Sequence, residues 1–407
     1  MRILQINKFL FPYGGADNYF INLCQLLEQK GHKVIYFCMD HPNNKPNKFS
    51  QYFPSYVKTQ GNLTAYELLR AAGRMFYSFE VRKKLRKLIL EHKPDVAHIH
   101  NLHIQLSVSV IDELKEMGIP IVMTLHDHHI VCPINLLFTK GCICESCIQG
   151  RYFHCLLKEC MDGSLIKSTA AMIESYISTV LLRSYDKIDT LISPSKFLIG
   201  EVKKMGFKKE IKHLPNFIDI KDFNLLSNKS EKKGMVCFGR LVKEKGIHFL
   251  LEAVKGLSAP LKIIGDGPER PYLEEKAKKE AVSNVFFLGR MESLRLKEEI
   301  AASYFSVVPS ICYDNFPYSV LESFALGNPV IGSAIGGIPE LIVDDQTGYL
   351  FEPGNSLNLS KKIQYLIEHR ERATEMGKNA RKFIESNFNT ETIYQLLIKE
   401  YERLVVN

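Results

Sequence analysis

The hydrophobic positions of this chain fall into short apolar runs that alternate with stretches of helical periodicity. The first run, residues 2–7, leads through Gly14 and Gly15 into a helical stretch that ends at Gly31. Single apolar strands joined by amphipathic helices predict a parallel α/β sheet with glycine-containing turns. Such sheets bind ligands at the carboxyl ends of their strands, so the loops at those ends are the candidates for function.

The same alternation continues along the chain. The runs that predict strands lie at residues 2–7, 34–39, 95–99, 121–125, 188–193, 235–239, 261–264, 285–288, 304–308 and 329–331. The later helical periods lie at residues 64–79, 80–92, 105–117, 164–183, 247–255, 320–326, 357–369, 371–386 and 392–404. A polar, charged segment near residues 228–233 divides these elements into two groups, each long enough for its own core. We therefore predict two doubly wound α/β domains, residues 1–227 and 228–387, and a final segment, residues 388–407.

Composition and charge narrow the functional classes only a little. The 407 residues contain no apolar run of about 18 residues, the length that a membrane-spanning helix needs. The N-terminal run is typical of a strand and not of a signal peptide, so we expect a cytoplasmic protein whose ten cysteines are reduced thiols or metal ligands. The formal charge of +8 permits an anionic partner such as a nucleotide, a lipid phosphate or a membrane surface, and we expect no nucleic acid.

Two carboxylates and two basic residues carry the strongest chemical signal. Asp314 follows an apolar run, and Glu322 lies on the helical stretch behind it. Carboxylates at such a strand end can accept hydrogen bonds from the hydroxyl groups of sugars and riboses. Arg240 leaves another predicted strand and Lys245 precedes the next helix, so both can point at one anion.

These motifs resemble the retaining glycosyltransferases of family 4, which have the two-domain GT-B fold. The resemblance rests on Asp314-x7-Glu322, on Gly327-Asn328-Pro329-Val330 and on Gly336-Gly337-Ile338-Pro339-Glu340. It extends to Arg240 with Lys245, to Thr124-Leu125-His126-Asp127, and to most of the chain between them. One departure is that the family usually has glutamate at the first acidic position, where this chain has Asp314.

The resemblance implies two Rossmann-like domains facing each other across a cleft, with the C-terminal helix, residues 388–407, packing back on the first domain. It also implies roles for individual residues. Arg240 and Lys245 would neutralise the leaving diphosphate without a catalytic metal, Asp314 would orient the donor sugar, and His126 would contact the sugar near the reacting bond. Glu322 would hold the ribose hydroxyls. The remaining donor contacts are expected at Gly14, Gly15, Gly239, Gly265, Gly267, Asn315, Phe316, Pro317, Ser319 and Val320.

The activity implied is retaining transfer of a sugar from a nucleotide diphosphate-sugar to a glycan or lipid-linked saccharide, in the assembly of a cell-surface polysaccharide. Two alternatives remain open at this stage. A nucleotide-sugar epimerase could use the same scaffold, and a sugar-nucleotide-binding subunit could have lost catalysis. Asp314 is the only sequence feature that favours the second alternative.

A cysteine-rich insertion at residues 132–162 lacks the apolar period that would let it fold by packing. Cys144 and Cys147 have a zinc-knuckle spacing. A subset of family 4 enzymes resembles this segment, and its pattern corresponds to Cys132, Cys144, Cys147 and Cys160, which leaves Cys142 and Cys155 as extras. Reduced thiols without metal and a structural zinc are the two interpretations.

Two further patterns have both a functional and an ordinary interpretation. The histidines near His126, namely His98, His100, His103, His128 and His129, are more often ordinary buried or loop residues than ligands. Basic residues from Arg82 to Lys93 alternate with apolar ones, which is typical of an interfacial helix and equally of a solvated helix face. A peripheral position on the inner face of the membrane would suit a lipid-linked acceptor.

Overall fold

A computed structural model describes residues 1–58, 64–223 and 232–406, without the side chains of residues 65, 66, 68, 69 and 72. Within these ranges the strands form two six-stranded parallel sheets and one short hairpin. The first sheet and the hairpin contain β1 (Arg2–Ile6), β2 (Lys33–Phe37), β3 (Val96–Ile99), β4 (Ile121–Thr124), β5 (Phe138–Thr139), β6 (Cys142–Ile143), β7 (Thr190–Ser193) and β8 (Ile211–His213). The second sheet contains β9 (Met235–Phe238), β10 (Leu261–Ile264), β11 (Val285–Gly289), β12 (Phe305–Val308), β13 (Val330–Ser333) and β14 (Gly348–Phe351).

Helices connect the strands of both sheets. Those up to residue 223 are α1 (Gly15–Gln29), α2 (Ala65–Phe76), α3 (Phe79–His92), α4 (Ser109–Glu116), α5 (Phe153–Leu157), α6 (Leu165–Ser175) and α7 (Lys196–Lys204). Those after residue 231 are α8 (Ile247–Ala253), α9 (Arg270–Lys279), α10 (Ser293–Ala301), α11 (Tyr318–Ala325), α12 (Ile338–Leu341), α13 (Ser356–Glu368), α14 (Arg370–Asn387) and α15 (Thr390–Val406).

The strand order of each sheet shows where a ligand can bind. The first sheet has the order β2-β1-β3-β4-β7-β8, and the second has the order β11-β10-β9-β12-β13-β14. Both orders reverse direction once, between β1 and β3 in the first sheet and between β9 and β12 in the second. The loops after β1, β9 and β12 therefore flank the crevices in which doubly wound sheets bind their ligands. The prediction of two doubly wound α/β domains is confirmed.

Burial explains why these segments are strands and helices. Every residue of β3, β4, β7, β12 and β13 is buried, as expected of central parallel strands covered by helices on both faces. On α1 the positions that face the sheet, among them Phe20, Leu23 and Leu27, are fully buried. Each such side chain contributes roughly 1.5–3 kcal/mol relative to leaving it exposed.

The C-terminal helix α15 contacts the first sheet although it follows the second one in sequence. Ile393, Leu397 and Tyr401 are buried in the same hydrophobic cluster as the strands of the first sheet. The Tyr401 hydroxyl lies 2.6 Å from His98 Nδ1 on β3. The proposed domain boundary between residues 227 and 228 lies outside the described residues.

Two predicted helices differ from those observed. The period at 105–117 forms a helix only from Ser109, because Ile104 and Ser107 adopt positive φ angles of 66° and 58° that interrupt the helix. The period at 164–183 forms α6 and then continues as a π-helical segment, Tyr176–Leu181. The periodicity was present in both cases, but backbone conformation decided where the regular hydrogen bonding ends.

The apolar residues that alternate with the basic ones on α3 face the core, although Phe79 and Leu90 of the same helix are exposed. Val81, Leu85, Leu88 and Ile89 are all buried against the first domain. Two of its basic residues, Arg82 and Arg86, form ion pairs with Glu113 and Glu116 of α4. The alternation of basic and apolar residues on α3 is thus accounted for by packing on the core, and membrane contact through this helix stays a prediction. Within the described ranges, no helix is both long and apolar enough to span a membrane.

Candidate active site

Lys245 and Asp314 form an ion pair at the carboxyl ends of two neighbouring strands. Lys245 follows β9 and Asp314 follows β12, and the Lys245 ammonium lies 2.6 and 2.8 Å from the two carboxylate oxygens. Ser310 Oγ donates a further hydrogen bond to the same carboxylate. Burial favours the neutral amine, but the charge and hydrogen bond of Asp314 dominate together with nearby Cys312 and Glu244, so the pKa of Lys245 is raised. The cation therefore stays charged at neutral pH.

Arg240 provides a second cation beside this pair and is more open to solvent. Its guanidinium lies 5.8 Å from the centroid of the Tyr13 ring, which comes from the loop after β1. No acidic side chain in the described part of the chain pairs with Arg240. An unpaired guanidinium at a strand end is available to bind an anion in two-point fashion.

The glycines around Arg240 allow two loops to pack closely. Gly265 has φ +141°, and a Cβ added there would lie 1.8 Å from the carbonyl oxygen of Gly239. A Cβ on Gly267 would lie 2.2 Å from the carbonyl oxygen of Leu241. Side chains are thus excluded at Gly265 and Gly267, and the loop after β10 rests on the backbone that carries Arg240.

Glu322 lies on α11 with a carboxylate that receives no hydrogen bond from the described residues. Burial raises its pKa to about 7, and Lys297 opposes this shift only in part. A half-buried carboxylate without a partner is costly in the free protein, so a ligand that supplies hydroxyl donors would stabilise it.

The loop that carries Asp314 is held against the first domain by its own side chains. Asn315 donates through Nδ2 to the carbonyl oxygens of Leu125 and His126, both at 3.2 Å, and accepts from Ser195. A Cβ on Gly337 would lie 1.8 Å from the Asn315 carbonyl oxygen, so only glycine fits beside this loop. Asn315 therefore links the loop that carries Asp314 to the backbone of His126.

His126 lies between the two domains and is neutral at physiological pH. Burial lowers its pKa to about 4, against a smaller opposing effect of Asp127. Its Nε2 atom lies 3.0 Å from Nδ1 of His100, and the two rings stack at 21°. Tyr19 of α1 contacts the His126 ring in an edge arrangement, with ring centroids 5.6 Å apart.

The predicted donor residues differ in how the structure places them. Gly15 begins α1, and a Cβ there would lie 3.6 Å from the Tyr318 ring at the start of α11. Phe316 packs on Phe388, and Val320 is completely buried. Contacts of these two residues with a donor would have to come from the main chain. Gly14, Pro317 and Ser319 stand at the ends of α1 and α11 and remain predictions.

The cysteine-rich insertion gathers thiols around Cys147. Burial raises the pKa of Cys147 to about 12, and the neighbouring thiols of Cys132, Cys160 and Cys144 add to the shift. Cys144 itself accepts from the Lys158 ammonium at 3.4 Å. No three His, Cys, Asp or Glu residues in the described ranges already stand in a metal-binding arrangement. The four predicted ligands thus lie near one another but do not stand in the arrangement that a bound metal would require.

Sequence reasoning missed several residues that join the domains. The Glu340 carboxylate accepts from the backbone N–H groups of Lys196, at 3.0 Å, and Phe197, and so caps α7. Glu145 accepts from the Tyr313 hydroxyl at 3.0 Å and pairs with Lys204 at 2.6 Å. Glu340 is the last residue of the Gly336-Gly337-Ile338-Pro339-Glu340 motif, and Glu145 lies between Cys144 and Cys147. Nothing in the sequence identified the residues that these two carboxylates contact.

Comparisons with known proteins identify the family of the chain. The family model described as Glycosyltransferase Family 4 matches residues 13–222, just over half of the chain, and that of Glycosyl transferases group 1 matches residues 219–383. An uncharacterised glycosyltransferase of Methanocaldococcus jannaschii is 24% identical over 405 residues, which cover 99% of both chains.

Solved structures support the fold at lower identity. Sucrose-phosphate synthase from Thermosynechococcus elongatus superposes with a TM-score of 0.74 at 19% identity, covering 100% of this chain and 99% of that one. Anabaena HepE in complex with UDP-glucose gives a TM-score of 0.69 at 19% identity, covering 99% of this chain and 100% of that one. With its two doubly wound domains and its matches to both family models, the chain belongs to Glycosyltransferase Family 4 and is a glycosyltransferase of the GT-B fold.

Proposed function

We propose that the protein transfers a hexose-type sugar, with retention of anomeric configuration, from a nucleotide diphosphate-sugar to a glycan or lipid-linked saccharide acceptor. The observation that carries the proposal is the set of charged groups at the carboxyl edge of the second sheet. Lys245 and Arg240 can neutralise a diphosphate, and Asp314 and Glu322 offer carboxylates to sugar and ribose hydroxyls. The complex of Anabaena HepE with UDP-glucose supports a nucleotide-sugar donor.

The Lys245–Asp314 pair suggests how donor binding prepares the site. Without a donor the carboxylate of Asp314 neutralises the lysine. A bound diphosphate competes for Lys245, which frees Asp314 to accept hydrogen bonds from the sugar. The same exchange places a cation on the leaving group, where negative charge develops in the transition state.

The transfer step itself requires little covalent chemistry from the protein. The bond from the acceptor oxygen to the anomeric carbon forms on the face from which the phosphate oxygen departs. The acceptor proton passes to that phosphate oxygen, so the nucleotide diphosphate leaves as the base. His126, which is neutral, contacts the sugar near the reacting bond and carries no charge into it.

The decisive experiment is a binding screen of nucleotide sugars followed by a transfer assay with the tightest donor. The anomeric configuration of the product, read by NMR, tests retention directly. An inverted product would overturn the mechanism, and conversion of the donor alone to an epimer would favour the epimerase. Tight donor binding without turnover on any glycan or lipid-linked acceptor would indicate a binding subunit.

The raised pKa of Glu322 predicts a pH dependence of nucleotide binding. Ribose hydroxyls donate to the ionised carboxylate, so affinity is lost as the pH falls through about 7. Calorimetry with the nucleoside diphosphate of the best donor should show affinity rising about tenfold from pH 6 to 8. The phosphate also titrates in this range, so the comparison is with Glu322→Gln. If that variant has the same pH profile, Glu322 does not hold the ribose.

We further propose that Cys132, Cys144, Cys147 and Cys160 hold a structural zinc ion, which would supply no chemistry to the transfer. Support comes from the gathering of three thiols around Cys147 in a segment without apolar periodicity. Four thiolates satisfy the closed, tetrahedral geometry of structural zinc. The segment follows the loop of His126, so a metal there would brace that loop.

Metal analysis of protein purified without chelator should find about one zinc per chain, the stoichiometry of a single site with four cysteine ligands. The double variant Cys144→Ser, Cys147→Ser should lose the metal and unfold at lower temperature. Cys142→Ser is the matched control, because Cys142 is an exposed thiol outside the proposed set. Absence of zinc, or zinc that survives the double substitution, would exclude the site.

We extend the proposal to the acceptor and its location. The acceptor would belong to the assembly of a cell-surface polysaccharide. Transfer would take place at an anionic membrane surface on the cytoplasmic side. The exposed aliphatic side chains along α6 and its π-helical extension support this, namely Leu165, Ile166, Ile173, Val180 and Leu181. The only acidic residue of that stretch, Glu174, is buried, and the basic residues Lys167 and Arg183 pair with Asp162 and Asp186. Co-sedimentation with vesicles that shows no dependence on anionic lipid would contradict this location.

A further inference from the structure

A continuous chain of hydrogen bonds runs from the C-terminal helix to His126. His126 Nε2 lies 3.0 Å from His100 Nδ1, and His100 Nε2 lies 3.0 Å from Gln5 Oε1. Gln5 Nε2 lies 3.4 Å from the Tyr401 hydroxyl. The chain extends 2.6 Å from that hydroxyl to His98 Nδ1, and then 2.7 Å from His98 Nε2 to Thr124 Oγ1.

The members of this chain other than His126 are shielded from water. Gln5, His98, Thr124 and Tyr401 are at most 1% exposed, and so is His100. Burial lowers the pKa of His98 to about 3 and that of His126 to about 4, and the pKa of His100 is also well below its ordinary value. Each imidazole is therefore neutral at pH 7, with one nitrogen that donates and one that accepts.

With neutral rings, the direction of one hydrogen bond fixes all the others. Gln5 offers its carbonyl oxygen to His100, so His100 Nε2 carries the proton and His100 Nδ1 accepts. His126 Nε2 must then donate to His100, which leaves Nδ1 of His126 as a proton acceptor. At the other end, the Tyr401 hydroxyl accepts from Gln5, so among its contacts in the described structure its own proton has only His98 Nδ1 as an acceptor.

Reversing the amide of Gln5 would reverse the whole chain. Its nitrogen would donate to His100, His100 would donate to His126, and the proton of His126 would move to Nδ1. The Tyr401 hydroxyl opposes this reversal as long as it donates to His98, because it can then only accept from Gln5. A residue 396 positions away in sequence thus holds the orientation of the amide.

We propose that Tyr401 is a positioning residue that fixes the tautomer and ring orientation of His126 through Gln5 and His100. His126 is otherwise faced by Asp127 of its own loop, Tyr19 of α1 and a cavity of about 10 Å³ that also borders His103. None of these groups donates a hydrogen bond that would set its tautomer in the described structure. The catalytic consequence rests on the proposed function, in which His126 contacts the donor sugar.

The first test reads the tautomer without any substrate. Protein with ¹⁵N-labelled histidine should show His126 at pH 7 as a single neutral form, protonated at Nε2, assigned with His126→Gln. In Tyr401→Phe, which keeps the ring and loses only the hydroxyl, the His126 nitrogens should shift towards a mixture of both tautomers. Unchanged shifts in this variant would overturn the proposal. Because the measurement needs no donor or acceptor, its failure is distinct from failure of the proposed function.

The second test is kinetic and has a matched control on the same helix. Tyr394→Phe removes a hydroxyl that lies 2.8 Å from His32 Nε2, away from His126. Tyr401→Phe should lower kcat about tenfold or more with little change in donor KM, the scale of loss for a residue that orients a functional group. Tyr394→Phe should leave both unchanged, and an equal loss in both variants would show that α15 acts only as packing.

Gln5→Met provides the alternative if Tyr401→Phe does not fold. It has a side chain of similar length and breaks the chain between Tyr401 and His100. The same ¹⁵N shifts of His126 and the same loss in kcat are expected. A folded Gln5→Met protein with the wild-type tautomer would exclude control of His126 from the C-terminal helix.

Discussion

Replacing Lys245 with alanine should slow sugar transfer by roughly two or more orders of magnitude, and the same is expected for Arg240→Ala. Both cations stand at the carboxyl end of β9, where the second sheet reverses its strand order. The leaving diphosphate gains negative charge as the bond to the sugar breaks. Removing a cation therefore raises the energy of the transition state more than that of the bound donor.

The two substitutions should differ in what else they change. Among the described residues, Lys245→Ala leaves the Asp314 carboxylate with Ser310 as its only partner, whereas Arg240→Ala breaks no ion pair there. We therefore expect a lower thermal midpoint for Lys245→Ala and an unchanged one for Arg240→Ala. Steady-state kinetics with the screened donor, together with thermal unfolding of each variant, measure both effects.

Lys243→Ala is the matched control for these variants. Lys243 is exposed, lies two residues before Lys245, and its side chain points towards Gly141 of the cysteine-rich insertion. Its removal changes the net charge equally but should leave kcat unchanged. Normal turnover in both Arg240→Ala and Lys245→Ala would refute the assignment of the diphosphate site.

The fold could be predicted from the sequence because each strand and helix carries its own local signal. Apolar runs of three to six residues marked ten of the strands, including β10 at its observed bounds. β8 and β14 were missed, as were the two-residue strands β5 and β6 of the hairpin. Ile211–His213 has one buried residue, and Gly348 begins β14 where a Cβ would lie 2.0 Å from the Val330 carbonyl oxygen. β8 is a three-residue edge strand with one buried position, and the apolar run of β14 is only three residues long after its glycine, so neither gives a period to detect.

The contacts around the candidate site were much harder to predict. Tyr401 is 303 residues from His98, and Glu340 is 144 residues from the backbone N–H of Lys196. Local periodicity places each residue on a helix or strand but says nothing about which distant side chain it meets. His98 and His100 accordingly looked like ordinary strand residues, although both belong to the hydrogen-bond chain of His126.

The cysteine-rich insertion shows how such a long-range contact changes an interpretation. Glu145 lies between Cys144 and Cys147, and its carboxylate accepts from the hydroxyl of Tyr313, the residue before Asp314. The insertion therefore contacts the loop that carries Asp314, and it also follows directly after the loop that carries His126. A metal in this segment would fix both sides of the site, which the spacing of the cysteines alone could not suggest.

Asp314→Ala is the substitution for which the ion pair makes the most specific prediction. Transfer should fall by about two orders of magnitude, since the donor sugar loses a carboxylate that acts only once Lys245 has moved to the diphosphate. Binding of the nucleoside diphosphate should be retained or become tighter, because Lys245 no longer has to leave Asp314. Kinetics and calorimetry on the same preparation separate the two effects.

The loop should survive this change because its main chain is held independently of the carboxylate. The Asp314 carbonyl oxygen accepts from Gly337 N–H at 2.7 Å, and its own N–H donates to the carbonyl oxygen of Cys312. Asp314→Asn keeps the size of the side chain without its charge, so it should lose transfer as alanine does. Asp314→Glu adds about 1.5 Å of reach and restores the acid usual in the family, so it should keep substantial activity. Full activity in Asp314→Ala and Asp314→Asn would reduce the residue to a structural partner of Lys245.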